Sequence, residues 1–315
     1  MDNLCHTLLG VALGRAGLAR RTRLGMSTLV IASNLPDVDV AVFATNTLAV
    51  SFRRGWTHGV LAQATLPVVL AGVMTWWARR DHEAPSARFG ALLLLSYVGV
   101  LTHVFLDFLN TYGVRLLMPF SERWFYGDAL FVVDPWMYLM LGLGVWYSMR
   151  RERQGMAQLE RPARVAVATA VVYVLTMLGS NVIARMVVAE GLDRAGRPAD
   201  TRVMVSPVVL NPFRREVVID MGDRYQKGAV WFVPLPHFRP SGFGIDTHLE
   251  DPTVVAAIAA PRARAFLMWS RFPFAVVDRA VSPPRVWLND YRYADTGPGG
   301  WSATDVAADA ADKHR

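Results

Sequence analysis

Long apolar segments alternate with short polar connections through the first 188 residues of the chain. Five of these segments reach or approach the length at which a helix crosses a bilayer. They occupy residues 25–44, 57–78, 89–109, 129–149 and 163–188. A sixth segment, 3–18, is shorter and is predicted to form a tilted or partly inserted helix. The pattern therefore predicts a mainly α, polytopic membrane bundle of about six helices.

After about residue 190 the pattern changes to short runs of β-branched residues bounded by Pro, Gly and Asn, which predict strands. The runs are "RVMVSPVVL", "REVVID", "GAVWFV" and "RVWLNDYRYA". Asp251 is predicted to cap a helix that is interrupted or kinked at Pro261, and "VPLPHFRPSGFG" predicts a Pro-rich loop. The predicted domains are a membrane-embedded helical domain (1–188), a small α+β domain (189–295) and a disordered tail (296–315).

Composition supports the membrane interpretation. The 315 residues are 53% hydrophobic, and their mean hydropathy is +0.25, which is too apolar for an ordinary soluble enzyme. Lys and Arg number 33 against 26 Asp and Glu, giving a formal charge of +7. Such an excess is typical of the cytoplasmic loops of a membrane protein, so no nucleic-acid partner is expected. The single cysteine, Cys5, excludes an intrachain disulfide.

Arginines are concentrated in alternate connections between the apolar segments. The rich connections contain Arg15, Arg20, Arg21 and Arg23, then Arg79, Arg80 and Arg88, then Arg150, Arg151, Arg153, Arg161 and Arg164. The sparse connections contain Arg53, Arg54, Arg115 and Arg123. The positive-inside rule then predicts a multi-pass protein of the bacterial cytoplasmic membrane, with its N-terminus, the sparse connections and the C-terminal domain outside the cytoplasm.

Polar residues interrupt the apolar segments at the predicted outer ends only. They are His6, Asn34, Asp37, Asp39, His58, His103, Asp107, Asp128 and Asp134. Charged groups are costly in such positions unless they are paired. The arginine pattern that sets the topology is independent of these residues, so one shared site is a simpler explanation than scattered accidents.

Two pairs of these residues have informative spacings. His103 and Asp107 are four residues apart, so on a helix they share a face. They can bind one ion together, or they can neutralise each other as a structural pair, and both interpretations stay open. Asp37 and Asp39 follow Pro36, where an irregular backbone can aim both carboxylates inward. The alternative for this pair is an ordinary polar loop.

The other polar residues have weaker signals. His58 follows Arg53 and Arg54, which can bind a phosphate oxygen by charge-assisted hydrogen bonds; lipid headgroup contact is the alternative for these arginines. Asp134 precedes Pro135, a pattern typical of a helix start, so Asp134 is predicted to cap the helix or support the site from behind.

The three histidines and three aspartates of the set suit a divalent cation of the zinc, manganese or iron kind. The set is His6, His58, His103, Asp37, Asp39 and Asp107. Six donors exceed what one tetrahedral ion requires, so one or two ions are predicted. Such ions would neutralise the buried acids, hold a phosphate and activate water.

Several motifs of the chain resemble the YdjM/YbcI-type family of bacterial inner-membrane metal-dependent hydrolases. The motifs are "MDNLCHTLLG", "NLPDVD", "RRGWTHG", "HVFLDFLNTYGVRLLMPFSERWFYGDALFVVDPW" and "LNPFRREVV". The resemblance covers the membrane half closely and extends into the outer domain. Two positions depart from the family pattern: Cys5 where threonine is usual, and Gly59 where serine often follows the histidine.

The family's His/Asp ligand pattern is similar to that of zinc-dependent phospholipase C. Position by position, the resemblance implies metal binding by His6, Asp37, Asp39, His58, His103 and Asp107. Arg54 and Asp39 are the residues predicted to take part in catalysis.

The predicted function is a membrane-bound metal-dependent hydrolase, a phosphoesterase acting on a lipid or membrane-associated phosphate ester through water activated by zinc, manganese or iron. The alternative is a non-catalytic metal-binding or transport module, although the cytoplasmic halves of the helices hold no matching polar residues. A metal-free lipid phosphatase using Ser96, His103 and Asp107 is disfavoured, because Tyr97 replaces the arginine that such enzymes use for phosphate.

Overall fold

Helices form most of the regular structure before residue 195. In the computed structural model they are α1 (Asn3–Arg15), α2 (Gly25–Ala32), α3 (Ala49–Phe52), α4 (Val60–Ala78), α5 (Phe89–Phe108), α6 (Pro135–Arg153) and α7 (Arg161–Arg194). Two 3-10 helices, Leu18–Arg21 and Leu35–Ala44, follow α1 and α2 respectively. The structure describes residues 1–45, 49–80, 87–296 and 303–307.

The backbone divides into two units. The first contains Met1–Ala41, Arg53–Val182 and Ser206–Pro212. The second contains Val42–Phe52, Ile183–Val205 and the described residues from Phe213 onward. The division falls inside α7, which continues without a break to Arg194. The predicted domain boundary between residues 188 and 189 stays a prediction.

Three helices in the described part of the chain are long and apolar enough to cross a membrane: α4, α5 and α7. The pair formed by α2 and the 3-10 helix Leu35–Ala44 adds a fourth if it is one span, bent by 48° at its break. With 13 residues, α1 is about 20 Å long, shorter than the roughly 30 Å hydrocarbon core of a bilayer. The predicted count of about six spanning helices is therefore not confirmed.

The apolar segment of residues 129–149 is helical only from Pro135, where α6 begins. Asp134 caps this helix, as predicted, and its Oδ1 accepts hydrogen bonds from the backbone N–H groups of Trp136 and Met137, both at 3.1 Å. Asp128 lies further upstream with φ of +49°, a left-handed conformation that cannot belong to a right-handed helix. The apolar residues between Asp128 and Asp134 are therefore a connection rather than the first turns of a helix.

Packing in the first unit brings α2 very close to α5. A Cβ atom on Gly99 of α5 would lie 2.4 Å from the Cβ atom of Ala32 at the end of α2, so only glycine permits this approach. His103 is one turn further along α5, on the face that meets the end of α2. The close contact at Gly99 thus determines where the imidazole of His103 lies.

Strands dominate the second half of the chain. They are β1 (Val203–Val208), β2 (Asn211–Asp220), β3 (Arg224–Trp231), β4 (His237–Asp246), β5 (Pro273–Asp278), β6 (Arg285–Asp290) and β7 (Ala303–Ala307). The first four form one sheet in the order β1-β2-β3-β4, and the last three form a second sheet in the order β5-β6-β7. The pairs β2–β3, β3–β4, β5–β6 and β6–β7 are antiparallel.

Successive side chains of a strand point to opposite faces of the sheet. In the larger sheet, apolar side chains are buried on both faces. Val217 and Ile219 pack with Val188 of α7 on one face. Val218 packs with Phe272 on the other. The second unit therefore has two apolar layers, one on each side of this sheet.

Three expectations for this half are corrected. The segment predicted as a Pro-rich loop contains β4, whose Pro240 pairs with Gly228 where the β3–β4 register shifts, and proline is tolerated at such irregularities. The tail predicted as disordered contains β7, which pairs with β6; apart from Thr296, its other residues lie outside those described. The strand predicted through residue 294 ends at Asp290 and continues as a 3-10 helix.

The predicted interruption at Pro261 is confirmed. Two short helices, α8 (Pro252–Ile258) and α9 (Pro261–Trp269), replace one continuous helix. Asp251 caps α8, and its Oδ1 accepts a hydrogen bond of 2.8 Å from the N–H of Thr253. Each helix starts with proline in its first turn, where the missing N–H costs nothing.

A buried ion pair lies at the end of β6. The Asp290 carboxylate accepts bonds of 2.9 Å from Nε and from Nη2 of Arg292, 2.6 Å from the Ser270 hydroxyl and 2.8 Å from the Arg271 N–H. Burial alone raises the pKa of the Asp290 carboxyl, but the adjacent Arg292 guanidinium and these hydrogen bonds hold the pKa below its usual value. The Arg292 guanidinium also lies 4.7 Å from the ring centre of Trp269.

We expect Asp290→Asn to destabilise the second unit by about 3–5 kcal/mol at pH 7, because it leaves the buried Arg292 without its carboxylate. A lowered folded-state pKa contributes stability above the unfolded value of about 3.9, and that contribution is lost as the pH falls through the folded value. The difference between variant and wild type should therefore shrink below about pH 4. Denaturant unfolding of the full chain in detergent, followed by tryptophan fluorescence, measures both effects.

The matched control is Asp246→Asn, because Asp246 is exposed and only 4.0 Å from its partner Arg224. This change should leave the unfolding curve close to that of the wild type. Equal stability of Asp290→Asn and the wild type at pH 7 would contradict the role given to Asp290.

Candidate metal centre

Four buried side chains from three chain segments meet at one end of α4 and α5. Asp37 comes from the 3-10 helix after α2, His58 from the turn before α4, and His103 and Asp107 from the last turns of α5. One donor atom from each residue lies within 4.8 Å of all the others. The structure thus brings together four of the six predicted ligands, which are called the four-donor group below.

The distances inside the four-donor group are short. His58 Nε2 lies 3.2 Å from His103 Nε2 and 3.2 Å from Asp107 Oδ2. His103 Nε2 lies 3.7 Å from the same carboxylate oxygen. Asp37 Oδ1 is 4.0 Å from His58 Nε2 and 3.9 Å from His103 Nε2.

The backbone at the end of α2 fixes the tautomer of His103. Its Nδ1 lies 2.7 Å from the carbonyl oxygen of Ser33. A carbonyl only accepts hydrogen bonds, so Nδ1 must carry the proton and, in the neutral ring, Nε2 must present its lone pair. The Nε2 lone pair of His103 therefore points into the four-donor group.

A second hydrogen-bond chain orients His58. Thr57 Oγ1 lies 2.9 Å from His58 Nδ1 and donates to Asp39 Oδ2 at 3.1 Å. Because the hydroxyl proton is directed to the carboxylate, Oγ1 accepts from Nδ1–H of His58. We assign the Nε2 lone pair of His58 to the four-donor group on this basis. Carboxylate support of this kind is typical of metal-binding histidines.

The donor set tests whether a cation fits. Asp37 Oδ1 and Asp107 Oδ2 are buried and have no hydrogen-bond partner, and the two Nε2 atoms face them with lone pairs. A tetrahedral zinc site with bonds of 2.0–2.1 Å separates its ligand atoms by about 3.3–3.4 Å. The observed separations of 3.2–4.0 Å bracket this value. The four-donor group therefore has the chemistry and the size of a divalent metal site.

The other two predicted ligands lie beside the four-donor group. The ring of His6 stacks on that of His103 with centres 3.7 Å apart, and neither ring nitrogen makes a hydrogen bond. Its Nε2 is 3.3 Å from Asp107 Oδ1. Asp39 Oδ2 is 3.6 Å from His58 Nδ1, on the side of the ring away from the group. Direct ligation by His6 and by Asp39 stays a prediction.

The two adjacent arginines occupy different environments. Arg54 is 4% exposed, and its guanidinium lies 3.0 Å from Asp107 Oδ1 and donates to Asn110 Oδ1 at 3.0 Å. Its backbone N–H donates to Asp39 Oδ2 at 2.7 Å. The side chain of Arg53 is 22% exposed and lies 3.6 Å from Asp37 and 3.4 Å from Asp39. Arg54 thus serves the interior of the site, while Arg53 lies at its exposed edge.

Sequence reasoning missed three contributors. Asn110 accepts from the N–H groups of Tyr112 and Gly113 at 2.9 and 3.3 Å while it holds Arg54. The run "NTYG" after α5 is a turn signature that could have identified it. Thr57 and the Ser33 carbonyl have no comparable signal, because their roles depend on side chains 18 and 70 residues away.

Three of the polar residues at the predicted outer ends lie outside the four-donor group. Asn34 bonds to Thr7 and to the backbone of Val30. Asp134 caps α6. The backbone carbonyl of Asp128 accepts from the Asn181 amide at 2.8 Å.

Comparison with known proteins places these residues in a family. The model of the YdjM inner membrane protein family matches residues 1–187, which include every member of the four-donor group. The chain belongs to the YdjM inner membrane protein family. The resemblance seen in the sequence motifs is therefore confirmed over residues 1–187, and the family together with the three candidate spans among the described residues indicates a membrane protein.

A curated relative of this YdjM family member is the uncharacterized protein YfhP of Bacillus subtilis (strain 168). The two are 26% identical over 161 residues, which is 47% of this chain and 47% of YfhP. The chain thus spans about half the length of this relative. No solved structure matches the chain.

We expect the purified wild-type protein to contain a divalent transition metal, and His103→Ala and Asp37→Ala to lose most of it, since each removes one of four donors. Elemental analysis of the protein in detergent measures the content. His237→Ala is the control, because His237 lies in β4 and should not change it. Equal metal content in all four proteins would contradict the assignment of the four-donor group.

We expect Thr57→Val to weaken metal binding about 10–100-fold, because valine keeps the shape of threonine but breaks the link between Asp39 and His58. Thr57→Ser retains the hydroxyl and should bind within a few-fold of the wild type. Competition with a chromogenic chelator measures the zinc affinity of each protein. Equal affinities for the valine and serine variants would show that the hydroxyl does not support His58.

Proposed function

We propose that the protein is a membrane-bound metal-dependent hydrolase, a phosphoesterase acting on a lipid or membrane-associated phosphate ester. The observation that carries this proposal is the four-donor group, whose lone pairs converge without protons between them and beside two arginines. Bound metal ions and arginine side chains are the groups that commonly bind phosphate in proteins. The family resemblance to metal-dependent hydrolases supports the same function.

Asp37, His58, His103 and Asp107 would hold the ion, and His6 and Asp39 are close enough to complete or support the site. Imidazole and carboxylate donors suit zinc, manganese or iron. Such an ion supplies polarisation of a phosphoryl oxygen and activation of water at neutral pH. The proposal includes one or two ions, because His6, whose ring nitrogens make no hydrogen bond, lies beside the closest set of donors.

We expect Arg54 and Asp39, the two residues predicted to take part in catalysis, to act by positioning the metal donors. Arg54 holds Asp107 and orients Asp39 through its backbone N–H. Asp39 in turn aligns His58 through Thr57. Both therefore fix the geometry of the donors, whereas Arg53, with its partly exposed side chain, is placed to bind a phosphate oxygen of the substrate.

The position of the site within the helices favours an amphipathic substrate. Asp107 lies in the last turn of α5, and His58 lies two residues before α4 begins. Both α4 and α5 are candidate spans, so we expect the four-donor group to lie at the end of the spans, near headgroup depth. We propose that this end faces the outside of the cytoplasmic membrane, together with the C-terminal domain.

We expect purified protein in nanodiscs to hydrolyse a phosphomonoester or phosphodiester lipid, to lose activity with a chelator, and to regain it with zinc or manganese. Arg53→Gln should lower kcat/KM about 10–100-fold at unchanged metal content, because it removes a charge-assisted contact to phosphate. Arg80→Gln, at an exposed position beyond the far end of α4, is the control for lost positive charge. Release of phosphate or of the alcohol product measures the rates.

Absence of turnover across a broad panel of lipids and nucleotides would contradict the phosphoesterase proposal. Activity that persists in chelator would instead favour the metal-free phosphatase with Ser96, His103 and Asp107. Uptake of labelled zinc or manganese into proteoliposomes, without hydrolysis, would favour the transport alternative.

A further inference from the structure

A groove of about 400 Å³ lies between α6 and α7. Its apolar walls include Leu143 and Tyr147 of α6 and Val165 of α7, and Arg151 and Arg161 lie at one end. Leu143, Tyr147 and Val165 are about half exposed. A long apolar groove with positive charge at one end is complementary to an amphipathic anion.

A close helix contact forms the floor of the groove. A Cβ atom on Gly144 would lie 2.2 Å from the Cβ atom of Ala166, so α6 and α7 approach each other as closely as their backbones allow. The larger side chains on either side of this contact then stand above it as walls. The groove is therefore a consequence of rigid packing and not of a flexible loop.

The basic end of the groove has more positive than negative charge. Two acids are nearby, Glu152 and Glu160, and both already have partners: Arg15 at 2.8 Å for Glu152, and Arg20 at 2.7 Å together with Arg164 for Glu160. Four arginines at this end have no carboxylate partner among the residues that the structure describes: Arg150, Arg151, Arg153 and Arg161. Four such arginines favour a ligand with negative charge.

The length of the groove matches one leaflet of a bilayer. From Arg151 back to Met140 is 11 residues of α6, or about 16 Å at 1.5 Å per residue. Half of a hydrocarbon core of roughly 30 Å is about 15 Å. An acyl chain lying along Leu143 and Val165 would thus place its headgroup at the level of Arg151 and Arg161.

The groove is separate from the four-donor group. Helix α1 connects the two regions, because the Met1 amino group beside its start contacts Asp107 while Arg15 at its end pairs with Glu152 of α6. The 13 residues of α1 span about 20 Å. A ligand at the basic end of the groove therefore lies at the opposite end of the helices from the metal centre.

We propose that this groove binds one anionic phospholipid of the leaflet opposite the metal centre. The phosphate contacts Arg151 and Arg161, and one acyl chain lies between α6 and α7. Arg151 lines the groove, and hydrogen bonds of 3.1 and 3.4 Å from its Nη1 to the backbone carbonyls of Ala157 and Gln158 hold its guanidinium there. The site needs no metal and no turnover, so it does not depend on the function proposed above.

Native mass spectrometry of the full chain in detergent tests the proposal, with phosphatidylglycerol and phosphatidylcholine of identical acyl chains as probes. The wild type should retain one phosphatidylglycerol in preference to phosphatidylcholine. The double variant Arg151→Gln/Arg161→Gln should reduce phosphatidylglycerol retention at least five-fold and abolish the preference. Arg239→Gln/Arg264→Gln, which removes two exposed arginines from the second unit, should retain the lipid as the wild type does.

A second pair of variants tests the contribution of the apolar groove while all the arginines are kept. Val165→Trp fills the groove and leaves every arginine in place, so it should also lose phosphatidylglycerol. Val171→Trp adds the same ring at an exposed position of α7 outside the groove and should keep it. Unchanged thermal midpoints confirm that these proteins are folded. Equal retention of both lipids by the wild type, or full phosphatidylglycerol retention by Val165→Trp, would overturn the proposal.

Discussion

Burial of three carboxylates at the end of apolar helices is the constraint on which the first unit depends. Asp37, Asp39 and Asp107 are each no more than 3% exposed, and an uncompensated buried carboxylate costs several kcal/mol. Asp39 is fully served by protein donors. Asp37 Oδ1 and Asp107 Oδ2 are not, and they lie where two imidazole lone pairs meet. The unmatched negative charge is thus concentrated at one point, which is the arrangement that a bound cation stabilises.

The helices hold this point of charge in place through backbone contacts. The Ser33 carbonyl fixes the ring of His103, and it can do so only because α2 and α5 touch at Gly99. A side chain at position 99 would push the end of α2 away and take the carbonyl with it. The precision of the site therefore comes from close helix packing, which costs little when the residues at the contact are as small as glycine and alanine.

The part of the site that the sequence predicts is the part set by local geometry. His103 and Asp107 share a face because they are one helical turn apart, and the structure places both in the four-donor group. Asp37 and Asp39 are two apart on a 3-10 helix, where successive residues are about 120° apart, so they point in different directions. Asp37 lies beside His58 and His103, whereas Asp39 accepts a hydrogen bond from Thr57. These separate roles depend on where α4 and α5 lie in the fold, which cannot be predicted from sequence spacing alone.

The same distinction explains the corrections in the second unit. Pro240 lies in a run that local propensity predicts as a loop, yet pairing with β3 at a register shift makes it part of β4. The strand β7 has an unremarkable composition and exists because β6 offers it an edge. Conversely, the caps at Asp134 and Asp251 were predictable, since a cap depends only on the next three residues.

A local backbone distortion gives the adjacent residues Arg53 and Arg54 different environments. Arg54 has φ of +52°, a left-handed conformation that is costly for any residue with a Cβ atom. In that conformation its N–H reaches Asp39 while its guanidinium reaches Asp107, and both contacts compensate the cost. The side chain of Arg53 then lies at the partly exposed edge. A regular backbone at Arg54 would break one of these two contacts and leave a buried carboxylate uncompensated, so the strain follows from the same buried charge that defines the site.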